Sequence, residues 1–422
     1  MDKKMIKTAF MATMAMVLAT LMSVSLASAQ TGEDVEVPPT FRASKILPPD
    51  LLKGPDYEVQ EYVFNDGFFN HYQVSTTHGP LEVAGTTFLK IRLKELEAME
   101  KMEELQLTQA YAEALKKAAT GPLSLAKGVV TQPVGTVKGI AGGVGSYFKN
   151  VGHSIFGKPS EQEEGTLKTV IGFENAKRKV AYAFGVDPYS SYAPLQERMK
   201  DITWASFAGG MTVAAGFAFI PGAAGLAVSG TSMGNQASQR LRDNAPAELK
   251  ALNANLLKSM GVHPSVAQIF LDNPKYSPTR TTYLVAALEA MEGVKNRMLF
   301  IQHAAMAQDE QMALYFERQA ELTAGYHVNV APVDRFVQLG DIPFVVNKEG
   351  VVAGVFAFDH FAWTEGVAEQ ADGSAVRAME KLSDVTGQEL WLEGTASPLA
   401  RKNLEARGWT VKESAGEPLA LR

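Results

Sequence analysis

The chain has 422 residues, contains no cysteine and carries a formal net charge of −6 at pH 7. This length allows two or three domains with sizeable cores. The lack of cysteine excludes disulfides and thiol chemistry, so that packing must stabilise the fold, and the acidic balance argues against a general nucleic-acid binder.

The first 29 residues have the pattern of a secretory signal peptide. A start with three lysines precedes apolar residues 9–26, and residues 27–29 (Ala-Ser-Ala) supply a small-residue cleavage site. Cleavage would remove three lysines and one aspartate and leave a net charge of −8. We therefore expect a mature chain from Gln30 that is periplasmic or secreted in a bacterium, with a retained N-terminal anchor as the alternative.

Residues 30–120 predict a leader, a small sheet and a helix. Residues 30–50 are polar and rich in proline, which predicts a disordered leader. Turn signals divide residues 57–83 into short apolar runs, which predicts a β-meander. Residues 87–119 have apolar side chains at spacings of three and four, which predicts one long helix. We expect the meander to pack on this helix, with residues 51–120 as one unit.

Residues 121–160 are rich in glycine. From position 130 to 155, apolar residues recur at alternating spacings of four and three, and the neighbouring face carries glycines and lysines. This pattern is typical of an amphipathic helix that lies on a surface. Each interior glycine costs a helix about 1 kcal/mol relative to alanine. The segment therefore needs a surface on which to form, either the core of the protein or a lipid interface.

The run KGVVTQPVGTVKGIAGGVGSYFKNVGHSIFGKP resembles the glycine-rich amphipathic segment near the C-terminus of chorein-family lipid-transfer proteins. The resemblance covers residues 126–158 and no other part of the chain. It implies contact with a membrane surface, with valines and a phenylalanine in the lipid and lysines at the head groups. The membrane-binding residues that it implies are Lys127, Val130, Val137, Lys138, Val144, Phe148 and Lys149.

Residues 203–239 contain no charged side chain, and Pro221 and Gly222 divide them into two arms rich in small residues. Small residues let helices approach closely, which predicts an apolar helical hairpin. Both arms are shorter than the roughly 20 residues of a membrane span. We favour a hairpin buried in a central helical domain over residues 167–330; insertion into a membrane and a partner interface are the alternatives.

The rest of the chain predicts helices followed by a small α/β domain. Residues 160–166 read as a charged linker, and helices are predicted at 167–186, 247–260, 265–271 and 281–324. In the last of these, Gly293 marks a kink or split and Gly325 the end. Residues 331–422 predict a hairpin at 344–358, a helix at 375–385, and a parallel β-α-β unit in which Ser397 and Pro398 open the helix. The predicted fold class is α+β, mostly helical.

The sequence gives little sign of chemistry. The seven histidines include no pair at the spacing of a helical zinc site, and no catalytic or phosphate-binding motif is present. No cofactor or metal is predicted. The best catalytic candidate is Asp359-His360, in which the carboxylate would orient the imidazole as a general base with help from His303 or from Asp309 and Glu310.

A structural role competes with each candidate. His360 and Trp363 would close the small domain, and Trp391 and Trp409 would be part of its core. We expect one helix face to be solvated and self-paired, the face that carries Glu310, Glu317, Arg318 and Glu321.

Two classes of function follow from the sequence. The first is a non-enzymatic envelope protein that binds a membrane surface or an envelope partner, without nucleic acid. The alternative is an exported hydrolase centred on Asp359 and His360.

Overall fold

A computed structural model describes residues 35–120, 161–211, 232–340, 342–372 and 385–421, together with Met379 and Leu382. The described residues form an α+β fold in which helices predominate, as predicted. The predicted signal peptide and the glycine-rich segment 121–160 lie outside the described residues, as does most of the predicted helix at 375–385.

The N-terminal part is a five-stranded antiparallel sheet centred on one strand. Its strands are β1 (Thr40–Arg42), β2 (Tyr57–Val59), β3 (Tyr62–Asn65), β4 (Asn70–Thr76) and β5 (Leu81–Ala84). β4 pairs with β2, β3 and β5, while β1 pairs with the outer side of β3. The predicted meander is confirmed.

The prediction of a disordered leader over residues 30–50 is wrong from Thr40 onward. β1 begins there, and two short helices follow, α1 (Ala43–Ile46) and α2 (Pro49–Leu52). Two of the prolines that suggested disorder, Pro48 and Pro49, precede and open α2, where a missing backbone N–H costs nothing. Ala43 and Leu47 are buried in the N-terminal core.

The predicted long helix is two helices, α3 (Thr86–Gln106) and α4 (Gln109–Thr120). The break occurs because Thr108 caps the second helix: its hydroxyl accepts the N–H of Tyr111 at 3.2 Å and donates to the carbonyl of Leu105 at 2.7 Å. The predicted apolar stripe of α3 is buried, including Leu89, Leu96 and Met102.

Eight helices follow in the described part of the middle of the chain. They are α5 (Glu161–Phe184), α6 (Ala193–Gly209), α7 (Ser232–Asp243), α8 (Pro246–Ser259), α9 (Pro264–Leu271), α10 (Pro278–Ala290), α11 (Arg297–Ala304) and α12 (Glu310–Asn329). The predicted linker at 160–166 is wrong, since α5 begins at Glu161. The predicted helix 281–324 is three helices, α10 to α12.

The two glycines that were assigned to that helix behave differently. Gly293 has a φ of 77°, a left-handed conformation that separates α10 from α11. Gly325 does not end α12 but lies inside it, where the backbone of Leu419 occupies the space of a side chain. Gly325, which predicted a helix stop, is therefore required for close packing against the backbone of Leu419.

The C-terminal part is built on a mixed five-stranded sheet. The strands of this part are β6 (Val333–Leu339), β7 (Ile342–Asn347), β8 (Val351–Phe356), β9 (His360–Phe361), β10 (Gly387–Leu392), β11 (Thr395–Ala396) and β12 (Thr410–Lys412), with helices α13 (Glu365–Asp372) and α14 (Pro398–Ala406). The sheet order is β12-β10-β8-β7-β6, and β9 pairs with β11. The predicted β7-β8 hairpin and parallel β10-α14-β12 unit are confirmed, and Ser397 caps α14 by accepting the N–H of Ala400.

The hydrophobic cores group these elements in a way that the sequence did not indicate. The N-terminal sheet and α3 share one core with α5 and α6. A second core joins α8 to α12 with one face of the C-terminal sheet, and a third lies on the other face of that sheet. Backbone hydrogen bonds also join the N-terminal sheet region to the C-terminal part, since the N–H groups of Asp359 and His360 donate to the carbonyl of Phe68 at 2.9 and 3.2 Å.

Candidate functional site

The predicted membrane-binding residues lie outside the described residues, but the helices that flank them are described. These residues are Lys127, Val130, Val137, Lys138, Val144, Phe148 and Lys149. The chain leaves the described structure at Thr120, the end of α4, and returns at Glu161, the start of α5. The apolar residues 212–231 are likewise flanked by α6 and α7. The positions of these helix ends determine whether the two segments leave the folded structure on the same side.

Helices α4 and α6 run in the same direction. Near the start of α6, Arg198 donates to the side chain of Gln106, just before α4, at 2.8 Å. At the end of α6, Gly209 lies against the backbone of Ala114, so closely that a Cβ at this position would overlap the Ala114 carbonyl. Increasing residue number in α6 therefore matches increasing residue number in α4, and both helices end on the same side.

Helix α5 runs in the opposite direction to α6. The loop of residues 185–192 joins them as a helical hairpin. Gly172, in the first half of α5, packs on the ring of Phe207, and the rings of Phe173 and Phe207 meet edge to face at 6.0 Å. The start of α5 therefore lies beside the end of α6.

These directions define one end of the helix layer, which we call the exit end: the end of α4, the start of α5 and the end of α6. A small buried cluster of Ala118, Phe173 and Trp204 lies close to it and holds the three helices together. Residues 121–160 are attached to the folded structure at the exit end on both sides, and residues 212–231 follow α6 from the same end.

The largest group of interacting charges in the described structure lies elsewhere, where α3 meets α10 and α12. Glu310 accepts from Arg92 at 3.3 Å with one oxygen and from Arg280 at 3.2 Å with the other. Arg92 also donates to Glu95 at 2.6 Å, and Arg280 to Glu317 at 3.2 Å. We call this alternating series the arginine–glutamate chain: Glu95, Arg92, Glu310, Arg280 and Glu317.

Hydroxyl groups and an aromatic ring complete this network. The loop between α5 and α6 supplies Ser190 and Ser191, whose hydroxyls accept from Arg92 at 3.2 and 2.7 Å. The ring of Phe88 lies 4.6 Å from the guanidinium carbon of Arg92 and 5.6 Å from that of Arg280, within cation–π range. The network therefore connects α3 and the α5–α6 loop to α10 and α12.

The surroundings of the arginine–glutamate chain change the pKa values of its carboxyl groups. Burial raises the pKa of Glu317 to about 8, although Arg280 acts in the opposite direction. Burial also raises the pKa of Glu95 and of Glu321, one turn after Glu317 on α12. Burial thus favours the protonated form of the Glu317 carboxyl group relative to an exposed glutamate.

The prediction of a solvated face on α12 is wrong. The side chain of Glu317 is 12% exposed, and Arg318 is shared between Glu321 and Glu393 of the C-terminal part at 2.9 Å each. One signal was present in the sequence: Arg92 and Glu95 lie in helical register with Leu89, Leu96 and Met99. Charges on an apolar face indicate buried partners.

The Asp359-His360 pair is occupied by structural contacts. The carboxylate of Asp359 accepts the backbone N–H of Asn70 at 2.9 Å and of Thr86 at 3.1 Å, so it caps the start of α3. The Nδ1 atom of His360 lies 2.8 Å from the hydroxyl of Thr395. His303 contacts the carbonyl of Leu299, at 2.7 Å, within its own helix. The structure therefore does not bring these residues into the arrangement that a general base requires.

Trp363 is fully buried, as expected for the small domain. Trp391 and Trp409 are partly buried, Trp391 against the core of the central helices and Trp409 against the third core.

Two further features bear on ligands. Within the described ranges, no group of three or more His, Asp and Glu side chains is arranged to hold a metal ion. A shallow polar cavity of about 150 Å³ lies between α3 and α6, lined by His78, Met99, Pro194, Glu197, Arg198 and Asp201.

Among the described helices, none combines the length and the apolar character needed to cross a membrane.

No protein-family model, no curated protein sequence and no solved structure matched the chain.

Proposed function

We propose that the chain is an exported, non-enzymatic envelope protein that docks on an anionic membrane surface through residues 121–160. The observation that supports this proposal is the exit end. Because α4 and α6 end there and α5 begins there, residues 121–160 join the folded part at the exit end on both sides, and residues 212–231 leave the folded part at the same end. Both stretches are rich in glycine and apolar residues, and neither contains an aspartate or a glutamate.

The composition of residues 121–160 suits an interface between lipid and water. Burial of a valine or phenylalanine side chain is worth about 1.5–3 kcal/mol each, and the apolar series includes Val130, Val137, Val144 and Phe148. Each lysine near an anionic surface adds about 1 kcal/mol, and three are regularly placed, at 127, 138 and 149. Two kinds of attraction acting together are sufficient for stable peripheral binding.

Export is the second component of the proposal. The pattern of residues 1–29 supports it, and so does the lack of cysteine, since the fold then needs no redox chemistry outside the cytoplasm. The membrane would be that of a bacterial envelope, reached from the periplasm or from outside the cell.

Liposome flotation of the chain from Gln30 tests the docking. We expect the protein to float with vesicles that contain anionic lipid at low salt. The double change Val137→Asp and Val144→Asp should abolish flotation, because it puts charge into the apolar face. The triple change Lys127→Gln, Lys138→Gln and Lys149→Gln should weaken it, and more so on anionic than on neutral vesicles.

Matched controls come from the described surface. Ile269 on α9 and Val328 on α12 are 59% and 60% exposed, so their change to Asp introduces the same charge elsewhere. Lys258, Lys275 and Lys402 are exposed and provide the matching change of three lysines to glutamine. Flotation should be unaffected in both controls. A wild-type protein that stays in the soluble fraction, or controls that lose as much binding, would contradict lipid docking.

A further inference from the structure

The outer side of the N-terminal sheet presents two exposed aromatic rings on one strand. Tyr62 and Phe64 of β3 are 75% and 53% exposed, and Val63 between them is completely buried. Since alternate side chains of a strand point to the same side of the sheet, both rings lie on the side away from the N-terminal core. They are the two most exposed aromatic side chains in the described part of the chain, which indicates an interaction surface.

Strand pairing surrounds the two rings with polar side chains and a third ring. Arg42 of β1 lies opposite Tyr62, and Thr40 of β1 and His71 of β4 lie on either side of Phe64. The ring centroids of Phe64 and His71 are 5.7 Å apart. Gln73, two positions after His71, is exposed on the same side. We call this surface the aromatic face: Arg42, Tyr62, Phe64, His71 and Gln73.

The aromatic face is held in place before any partner binds. The Nε2 atom of His71 lies 2.8 Å from one carboxylate oxygen of Asp66, and the other oxygen accepts the backbone N–H groups of Phe68 and Phe69 at 2.9 and 2.8 Å. On the inner side of the same strand, Tyr72 is buried in the N-terminal core. A surface that needs little reordering loses less conformational entropy on binding, so a ligand with a modest contact area can bind it.

The charges on this side of the sheet argue against an anionic partner. Arg42 is the only lysine or arginine at an outward position of the five strands, all of which the structure describes. The acids Glu58 and Glu82 lie on the same side, opposite Ser75 and Gln73. Nucleic acids and anionic membranes require several basic side chains, so a polyanion does not fit this surface.

The apolar area argues against a second copy of the chain. A tyrosine or phenylalanine side chain buries about 150–250 Å² when it is fully covered. At their observed exposure, Tyr62 and Phe64 therefore offer on the order of 250 Å² together. A stable protein interface needs about 800 Å² on each partner, and the neighbouring Arg42 and Gln73 are polar. The aromatic face therefore suits a narrow polar ligand that covers the rings and reaches their neighbours.

We propose that the aromatic face binds a neutral polysaccharide of β-1,4-linked sugars. The C–H groups of a sugar ring pack against the negative face of an aromatic ring, and the two rings of β3 can hold successive sugars of an extended chain. Sugar hydroxyls donate and accept, so they can pair with the guanidinium of Arg42 and the amide of Gln73. The proposed export would bring this face to the polysaccharides of the envelope, but binding does not depend on docking at the exit end.

Co-sedimentation of the chain from Gln30 with particles of chitin and of cellulose, two uncharged β-1,4-linked polymers, tests the proposal. We expect the wild type to sediment with one or both, and high salt to leave the binding unchanged because no ion pair contributes. Tyr62→Ala and Phe64→Ala should each weaken binding about tenfold, in line with the loss of one aromatic contact, and the double change should abolish it. Both rings are exposed, so circular dichroism should show that the variants are folded.

The control is Tyr182→Ala on α5, a helix whose buried side packs against the inner side of the sheet. Tyr182 is 46% exposed, so this change removes an exposed ring elsewhere and should leave sedimentation intact. A wild type that stays in the supernatant with both polymers, or a double variant that sediments like the wild type, would overturn the proposal.

Three further outcomes would assign the aromatic face to another partner and overturn the proposal. Loss of sedimentation at high salt would indicate an anionic polymer. A dimer in analytical ultracentrifugation that the double change at Tyr62 and Phe64 dissociates would indicate a second copy of the chain. Loss of liposome flotation in the double variant would indicate lipid. A failure of flotation in the wild type would leave the sedimentation result unchanged, so the two proposals can fail separately.

Discussion

Glu317 offers a direct test of the arginine–glutamate chain. Its side chain is 12% exposed, donates nothing when ionised, and accepts from Arg280 at 3.2 Å. The other charges that act on it are Arg280 within the arginine–glutamate chain, Glu321 on its own helix and Asp187 from the α5–α6 loop. Burial is the main cause that favours the protonated carboxyl group, Arg280 opposes it, and Glu321 and Asp187 add to it, so the native state holds this proton more tightly than the unfolded chain does.

The sign of the pH dependence follows from this. Burial raises the pKa of Glu317 from its ordinary 4.5 to about 8. Between these values the native state binds more protons than the unfolded state, so the free energy of unfolding decreases as the pH rises from about 4.5 to about 8. Glu317→Gln mimics the protonated carboxyl group and should remove this decrease.

We expect Glu317→Gln and the wild type to have similar stability near pH 5, and the variant to be more stable at pH 9. A pKa shift of this size corresponds to several kcal/mol, but Glu321 can hold the proton instead, so a difference on the order of 1–3 kcal/mol is expected. Urea unfolding followed by circular dichroism at pH 5, 7 and 9 measures it.

Glu310→Gln is the matched control with the opposite sign. It removes the charge that lies between Arg92 and Arg280, so it should destabilise the protein at pH 7 and at pH 9. If Glu317→Gln proves less stable than the wild type at pH 9, Glu317 is an ionised partner of Arg280 and the argument from burial fails.

Two other changes test the packing that positions the exit end and the N-terminal sheet. Gly209→Ala should lower the free energy of unfolding by about 1–3 kcal/mol, measured by thermal melting, because the new Cβ would overlap the Ala114 carbonyl. The control Gly366→Ala should be nearly neutral in the same measurement, because a Cβ at this position meets nothing within 4 Å. Asp359→Ala should cost about 1–3 kcal/mol by leaving the N–H groups of Asn70 and Thr86 without their acceptor, and hydrogen exchange should show faster exchange at the start of α3; unchanged exchange there would mean that Asp359 does not cap α3.

Local patterns predicted much of the fold. Alternation and turn residues gave the N-terminal meander and the β7-β8 hairpin, and Ser397-Pro398 gave the start of α14, because these signals act within a few residues. The break at Thr108 was missed, since the helical pattern continues through it and only the hydroxyl contacts reveal the cap.

Features that depend on distant partners could not be predicted. Gly325 reads as a helix stop, but its small size serves the backbone of Leu419, 94 positions later. Glu317 reads as a surface residue because its burial depends on α10 and the α5–α6 loop. The exit end is likewise invisible in the sequence, because periodicity gives no information on the relative direction of α4, α5 and α6. The predicted membrane-binding residues stay a prediction.

The contacts of the first described residues have a consequence for how the chain acquires its fold. Glu36 contacts Ser397, 361 positions later, and Asn70 donates to Asp359, 289 positions later. Contacts between such distant positions require closure of very long loops and form late and slowly. The N-terminal sheet therefore lacks its final neighbours until nearly all of the polypeptide has been synthesised. A chain that passes through a narrow channel from its N-terminus would therefore not yet be completely folded, because these contacts form only after residues near position 400 have been synthesised.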